Sequence, residues 1–406
     1  MAFKAVFVGI NKHQDPGVLE LTGAVKDAQA LHALFQDTFS DIDAQLLTDS
    51  DATLEAIRSN LDRTLATSTP DDVVVISFHG TEAHQIVAYD TGRDAIGSST
   101  LPMEELAAKF RSSPARAILC IIDCCFSGAA PARVLEGAPL ARAAFDYTAF
   151  EGKGRFLLAA ASPTQPAWEE PGTGHGLLTG SIIEVLTSGT EPIDIVAAVA
   201  EIAAKTRDRA KAIGEEQWPC FVGGMEGKLE LPILQRGARW RSLFPDLQEI
   251  RVSKDIDELA GFGLPADVRA LWKARYPGGL NDLQLEAVNR HRVLNGESLL
   301  VVAPTSSGKT FIGELGAIRA AIGSRKTVFL LPYRALVNEK YEDFAATYGQ
   351  VGLRVIRCSG DFTDEAGLFL SGRYDIAFLT FEMFLSFGVT TPHVLKRLGL
   401  VVLTST

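Results

Sequence analysis

Short runs of β-branched and apolar residues, each closing on a polar or glycine-rich step, alternate with amphipathic stretches through roughly the first 235 residues. The runs are AVFVGI, DVVVISF, ARAILCIID and RFLLAAA, and AVKDAQALHALFQDTF and ATLEAIRSNLDRTLATS lie between them. A run that is apolar at nearly every position belongs to a strand buried on both faces. Strands of that kind alternating with helices imply an α/β sandwich around a mostly parallel sheet. Chemistry in such sheets gathers at the carboxyl ends of the strands.

The texture then changes. The segment 236–280 has a basic opening, RGARWR, a Pro-Asp turn, a mixed helical pattern and a Pro-Gly-Gly stop, and reads as a linker with entry helices. A second α/β pattern follows, with SLLVVA, TVFLLP, RVIRC, DIAFLT and LVVL as its expected strands. At 406 residues the chain is too long for one ordinary core. The expected division is 1–235, 236–280 and 281–406.

Composition excludes some classes of function. The chain is 47% hydrophobic and 22% charged, as ordinary globular proteins are. No stretch approaches the roughly 18 apolar residues of a membrane span, and the N-terminus lacks the pattern of a signal peptide, so no membrane partner is expected. Five cysteines, two of them adjacent, do not make a disulfide framework. A reduced, cytoplasmic setting is the expectation, and it keeps a nucleophilic thiol available. A net charge of −11 argues against a non-specific nucleic-acid coat while leaving room for a local groove. It also favours cationic substrates, weakly at physiological salt.

Two strand ends carry the chemistry. DVVVISF runs into His79-Gly80, and ILCIID runs into Cys124-Cys125-Phe126-Ser127-Gly128. Thiol catalysis needs a thiolate, an imidazole to take its proton, and N–H donors for the oxyanion. A cysteine leaving a strand into a glycine-containing turn is exposed, and a histidine at a neighbouring strand end can flank the scissile bond. Backbone N–H groups near Gly80 and Cys125 are the expected oxyanion donors. Cys120, Cys124, Cys220 and Cys358 are expected to be structural.

D-C-C-F-S-G resembles the D-x-C-H-S-G nucleophile segment of the metacaspases, and S-F-H-G resembles their S-G-H-G base segment. The resemblance covers about residues 1–235 and extends to the opening VFVGIN, the LTGAVKDA stretch, the E-x-x-x-x-G-H-G-x-L-T run ending at Thr179, and Gln217-Trp218-Pro219. It implies a caspase-like cysteine peptidase with Cys125 as nucleophile and His79 as base, and the separation of 46 residues fits the caspase order. It further implies an S1 pocket floored by Asp27, Ser77 and Asp123, which would select Arg or Lys at P1 in protein or peptide substrates. Phe126 and Phe78 depart from the family's His and Gly and are expected to reshape the pocket. They also make a peptide-binding scaffold without catalysis the main rival reading. Metacaspases are often calcium-activated, but the acidic pairs Asp71-Asp72 and Glu169-Glu170 show no ligand spacing and read as solvated surface. The Arg-rich 236–241 is an exposed candidate for self-cleavage.

Further on, SLLVV leads into Ala303-Pro304-Thr305-Ser306-Ser307-Gly308-Lys309-Thr310 and a helical stretch. A strand–loop–helix with Gly-Lys-Thr cradles phosphates, the Lys reaching the β/γ oxygens and the Thr310 hydroxyl holding magnesium. A-P-T-S-S-G-K-T resembles the wording of superfamily 2 helicases, although Ala303 replaces the first Gly of the general pattern. The resemblance implies ATP with magnesium at Thr305, Ser306, Ser307, Gly308, Lys309 and Thr310, with Gln284 reading adenine. By the same resemblance, Arg334 in L-P-Y-R-A-L-V-N-E and Thr380 in T-F-E-M imply contact with DNA or RNA. Helicases of this kind continue LGLVVL into an acidic pair, where this chain reads Thr404-Ser405-Thr406. The expectation is a partial helicase lobe, from a longer protease–helicase or a shortened gene, without unwinding activity of its own. An ATPase with the N-terminal part as accessory is the second rival. In an intact relative, nucleic acid would license the protease.

Overall fold

The computed structural model describes residues 2–15, 18, 20–80, 85–92, 95–123, 150, 152–161, 165, 167–170, 173–225, 227–245, 250–304, 307–323, 325–360 and 365–404. The chain divides into two compact units, Met1–Leu243 and Phe244–Thr406. The division falls inside the segment expected as linker.

In the first unit the order is β1 (Phe3–Gly9), α1 (Ala24–Thr38), β2 (Asp43–Thr48), α2 (Leu54–Ala66) and β3 (Val73–His79). A small antiparallel ladder follows, β4 (Gln85–Val87) with β5 (Thr100–Pro102), spanning the short α3 (Ile96–Ser99). Then come α4 (Met103–Ser112), β6 (Ala117–Asp123), β7 (Arg155–Ala159), α5 (Leu177–Ser188), β8 (Ile193–Asp194), α6 (Ile195–Ala212), β9 (Cys220–Gly224), β10 (Glu230–Leu231) and α7 (Ala238–Leu243). The main sheet runs β2-β1-β3-β6-β7-β9. All its pairings are parallel except that of β9 with β7. The four apolar runs are β1, β3, β6 and β7. The edge strand β2 escapes the apolar criterion because it is only half buried.

Alternation along β3 decides which side chains meet. Val74, Ile76 and Phe78 join Ile118, Cys120 and Ile122 of β6 against Ile57 and Leu61 of α2 and Leu106 and Phe110 of α4. Ser77 and His79 therefore face the other way, toward α1 and α5, as side chains two apart on a strand do. Phe78 does not reshape the pocket, contrary to expectation, since it lies wholly in the core on the opposite sheet face. On α1 the buried stripe runs Ala24, Asp27, Ala28, Leu31, Leu34 and Phe35 at helical spacing, with a carboxylate set into it.

The 236–241 segment is likewise not an open tether. It enters α7, whose Arg239 and Trp240 N–H groups donate to the Asp37 carboxylate (3.1 and 2.8 Å). Trp240 is buried under the Arg236 guanidinium, and the arginine side chains remain exposed. A peptidase cleft takes an extended segment, so self-cleavage there requires this turn to unwind.

The second unit contains α8 (Ala266–Arg275), α9 (Asp282–Asn289), α10 (Lys309–Ile322), β11 (Lys326–Leu331), α11 (Arg334–Tyr348), β12 (Val355–Cys358), α12 (Ala366–Ser371), β13 (Ile376–Thr380), α13 (Phe381–Thr390) and β14 (Leu398–Leu403). Its sheet is parallel, in the order β12-β13-β11-β14. In its core Trp272 Nε1–H donates to Tyr348 Oη (2.8 Å), which donates to the buried Glu314 carboxylate (2.6 Å), so these interior polar groups are satisfied. The run 298–303 is not the expected strand. Leu300 and Val302 are 88% and 89% exposed, and no described strand pairs with the run. A buried parallel strand needs hydrogen-bonding neighbours, and the described sheet ends at β14.

Candidate active site

Parallel pairing of β3 with β6 sets His79 directly opposite Asp123 at the carboxyl edge of the sheet. Asp27 reaches the same point from the first turn of α1, and Ser77 from one pleat below His79. All four are buried, at 0–1% exposure. Three of these are the residues expected to floor the S1 pocket, and the fourth is the expected base, so the structure brings them together. Cys124, Cys125 and Phe126 lie outside the described residues, which end on β6 two positions before Cys125.

The imidazole is held from both sides. Its Nε2 is 3.0 Å from Ser77 Oγ, and its Nδ1 is 3.4 Å from Thr179 Oγ1 and 3.9 Å from Asp27 Oδ2. Thr179 spends its one hydroxyl proton on Asp123 Oδ2 (2.6 Å), so toward His79 it can only accept. The proton of the neutral ring is thereby assigned to Nδ1, and Nε2 accepts from Ser77. The ring lies beside both acids, with one ligand atom from each of Asp27, His79 and Asp123 within 4.8 Å of the others. The Gly80 N–H, an expected oxyanion donor, donates to the Asp123 carbonyl oxygen at 3.2 Å.

Helix α5 closes the site with residues to which the sequence reading assigned no role. Thr179 N–H donates to Asp123 Oδ2 (3.0 Å), so Asp123 acts on the start of α5 as an N-cap side chain would. Gly176 N–H donates to Asp27 Oδ2 (2.9 Å), and His175 Nδ1 pairs with Asp27 Oδ1 (2.6 Å). The G-H-G-x-L-T words were visible as a resemblance, but nothing local shows that they return across the sheet to Asp27. Glu169, read with Glu170 as solvated surface, is half-buried and accepts from the Thr22 hydroxyl and the Gly23 N–H. Glu170 pairs with Arg209, and Asp72 is buried near Lys4 (3.9 Å) and accepts from Thr69 N–H. Of these four acids only Asp71 is exposed, so the other three are structural. Cys120 and Cys358 are buried core thiols, the first pushed well up and the second to about 12 by burial, whereas Cys220 is only half-buried.

Burial also sets the proton positions in the cluster. It pushes His79 and His175 down to about 3 from 6.5, and Asp123 up to about 7 from 3.8, the last aided by neighbouring Asp27. Asp27 is raised well above 3.8, again by burial first. The unfolded imidazoles bind protons below 6.5 that the folded ones refuse until about 3, so the two histidines lower stability as pH falls through that window. Asp123 keeps its proton in the folded chain up to about 7 and in the unfolded chain only to about 3.8, so it lowers stability as pH rises between them, and Asp27 acts in the same direction. Asp123→Asn removes one raised carboxyl. Its stability, measured by urea midpoints, is expected to gain on the parent as pH rises from about 4 to 7, by up to about 1.4 kcal/mol per unit. A difference independent of pH would contradict this account.

In the second unit Gly308, at φ +88°, turns the loop into α10. The Lys309 ammonium donates to the carbonyls of Ala303 and Pro304, the latter at 3.0 Å. Gln284 is buried in a capping box at the start of α9: its Oε1 accepts from Asn281 N–H (2.9 Å), and its Nε2 donates to Gly308 O (3.3 Å). Ser307 Oγ is buried with no hydrogen-bond partner among the described residues, while Thr310 is exposed. Thr305 and Ser306 lie outside the described residues. Arg334 is exposed at the start of α11, with its guanidinium over Gly360. Thr380, expected to touch nucleic acid, is buried and caps α13, accepting from Met383 N–H (3.3 Å). No helix among the described residues is long and apolar enough to cross a membrane.

Comparison with known proteins agrees with both halves. Residues 281–404 match the family model for the DEAD/DEAH box helicase. Over 100 residues the chain is 38% identical to the ATP-dependent DNA helicase Hel308 of Caldivirga maquilingensis, covering 24% of this chain and 13% of that protein. Over 126 residues it is 37% identical to the Hel308 of Thermococcus kodakarensis, covering 30% and 11%. The chain thus spans well under a fifth of the length of these two relatives. Among solved structures, caspase-1 from Spodoptera frugiperda aligns at 15% identity over 56% of this chain and 90% of its own, with a TM-score of 0.41. Protein GSU0716 from Geobacter sulfurreducens aligns at 15% identity over 58% of this chain and 100% of its own, at 0.39. The model for the caspase domain matches residues 2–229, more than half of the chain, which therefore belongs to the caspase-domain family and carries a DEAD/DEAH box helicase match behind it.

Proposed function

We propose that the first unit is a cysteine endopeptidase that cleaves after Arg or Lys, with Cys125 as nucleophile and His79 as base. The observation that supports it is the convergence of two buried carboxylates, Asp27 and Asp123, with Ser77 beside His79 at the sheet's carboxyl edge. A buried acid pair is a strong site for a guanidinium, whose planar fork meets carboxylates through two bonds. His79 occupies that space in the closed arrangement. Swinging the ring out would empty the pocket for the P1 side chain and present the base to the thiol in one movement.

The chemistry then follows acyl transfer. The imidazole takes the Cys125 proton and the thiolate adds to the carbonyl after the basic residue. The imidazolium returns the proton to the leaving amine as the C–N bond breaks, and water, deprotonated by His79, cleaves the thioester to acid and thiol. The Gly80 N–H would serve the oxyanion once its bond to the Asp123 carbonyl opens.

The test is hydrolysis of fluorogenic peptides with Arg, Lys or Asp at P1, by the full chain and its Cys125→Ala variant, with and without calcium. Cleavage after Arg or Lys that vanishes in the variant is the expected result. Cleavage only after Asp would overturn the pocket assignment, and thiol-independent cleavage would overturn the nucleophile.

For the second unit the reading is nucleotide binding. Ser307 Oγ, buried without a partner, and Lys309 at the start of α10 fit phosphate oxygens. Bound ATP with magnesium would supply a polyanion for Ser307, Lys309 and Thr310 to hold. Contact with DNA or RNA through Arg334 belongs to the same reading.

A further inference from the structure

We propose that Glu169 is a positioning residue for the P1-selecting acid Asp27, and that it acts by capping helix α1 from a distant part of the chain. The proposal rests on the peptidase reading above and extends it to a residue that reaches substrate only through Asp27.

Helix α1 begins on a bare cap. Its N-cap is Gly23, which has no side chain to accept from the first turn, although the first four N–H groups of a helix find no partner within it. In a capping box a Glu or Gln three residues into the helix takes the N–H of the cap residue. Here that position holds Lys26, which can only donate. Glu169, 146 residues beyond Gly23, does the work instead: its Oε1 accepts from Gly23 N–H (2.9 Å) and its Oε2 from the Thr22 hydroxyl. A carboxylate suits this end of a helix, where the backbone dipoles leave partial positive charge. The approach requires glycine at 23, since a Cβ there would lie 2.8 Å from Glu169 Oε1 and 2.7 Å from Gly174 O.

The cap bears on Asp27 through one residue. Gly23 donates its N–H to Glu169 and accepts the Asp27 N–H on its carbonyl (2.9 Å). Asp27 therefore stands one helical turn above the point that Glu169 fixes. The segment carrying Glu169 then turns back on the same acid. Glu170 N–H donates to His175 O (2.7 Å) and Gly174 N–H to Glu170 O (2.9 Å), and His175 Nδ1 and Gly176 N–H meet the two Asp27 oxygens. Lys26 donates to Thr173 O, and Arg209 of α6 pairs with Glu170, so the grip is anchored on both sides. Recognition of a guanidinium through two parallel bonds tolerates misplacement of only about 0.5 Å. A helix end that slips further spoils the pocket, while His79, carried on β3, keeps its place.

Glu169→Ala in the full chain is the test. KM for a P1-Arg peptide should rise at least about tenfold, with kcat within about twofold of the parent. Glu169→Gln, which keeps one acceptor oxygen, should recover part of the rise. In chains carrying Cys125→Ala, calorimetry with benzamidine reads the pocket without catalysis, and Glu169→Ala should weaken that binding by a similar factor. Folding is checked by circular dichroism. If Glu169→Ala does not fold, Thr22→Val removes one of the two donors to Glu169 at nearly constant volume and should raise KM roughly threefold. Unchanged KM and benzamidine affinity in a folded variant, or a fall in kcat with KM unmoved, would overturn the positioning role. Weakened benzamidine binding in the variant, with no Arg cleavage by the parent, would keep that role and sink the peptidase reading. Arg cleavage whose KM ignores Glu169 would do the opposite. A parent that neither cleaves after Arg nor binds benzamidine would sink both.

Discussion

Asp27→Asn is expected to lower kcat/KM for a P1-Arg peptide by about 10²- to 10³-fold while leaving a folded chain. Removing one carboxylate from a buried, hydrogen-bonded charge pair costs a few kcal/mol of binding, which is the source of that factor. The fold should survive because an Asn oxygen can still accept from Gly176 N–H, which donates to Asp27 Oδ2 at 2.9 Å. Its amide can donate to His175 Nδ1 once that ring shifts its proton to the other nitrogen. The loss should fall mainly on KM, since the proposed pocket would hold the P1 side chain in ground and transition states alike. Steady-state kinetics on Arg, Lys and Asp peptides, beside thermal melts, would decide it. An unchanged Arg preference in a folded variant removes Asp27 from the pocket.

Gly176→Ala should damage the structure of this site. A Cβ there would lie 2.4 Å from Asp123 Oδ2 and 2.9 Å from its Cγ, in a fully buried position at the start of α5. Overpacking of this kind costs roughly 1–3 kcal/mol, and displacing Asp123 from the two Thr179 donors adds to it. For a unit of 243 residues, about 3 kcal/mol corresponds to a fall in Tm of roughly 6–12 °C. P1-Arg cleavage should disappear with it, because Asp123 cannot keep its place. Asp123→Ser in the same chain relieves the clash, so the double variant should recover much of the lost Tm without recovering cleavage. Additive effects of the two substitutions on Tm would show that the methyl and the carboxylate do not meet.

Local physics made much of the first unit readable. Each of its four apolar runs is a central strand, because residues apolar on both faces can sit only where both faces are covered. Asp27 could be noticed as a carboxylate within an apolar helical stripe, and His79 and Asp123 as polar residues closing apolar strands. The second unit was less readable at 298–303, where the strand pattern is as strong as any. Side-chain character specifies a strand's burial, but the strand itself exists only if a hydrogen-bonding neighbour is present, and that is a property of the sheet.

The sequence by itself determined the α/β layering, the strand ends that carry chemistry and the residue types available there. Tertiary structure alone decided that His79 lies beside the two acids and that Phe78 faces the opposite core. It alone decided that Thr179 returns from 56 residues away to hold Asp123, and Gly176 and His175 from 149 and 148 residues away to hold Asp27. The reason is physical: strand and helix periodicities act over a few residues, whereas the pairing of β3 with β6 and the docking of α5 depend on burial summed over the whole unit.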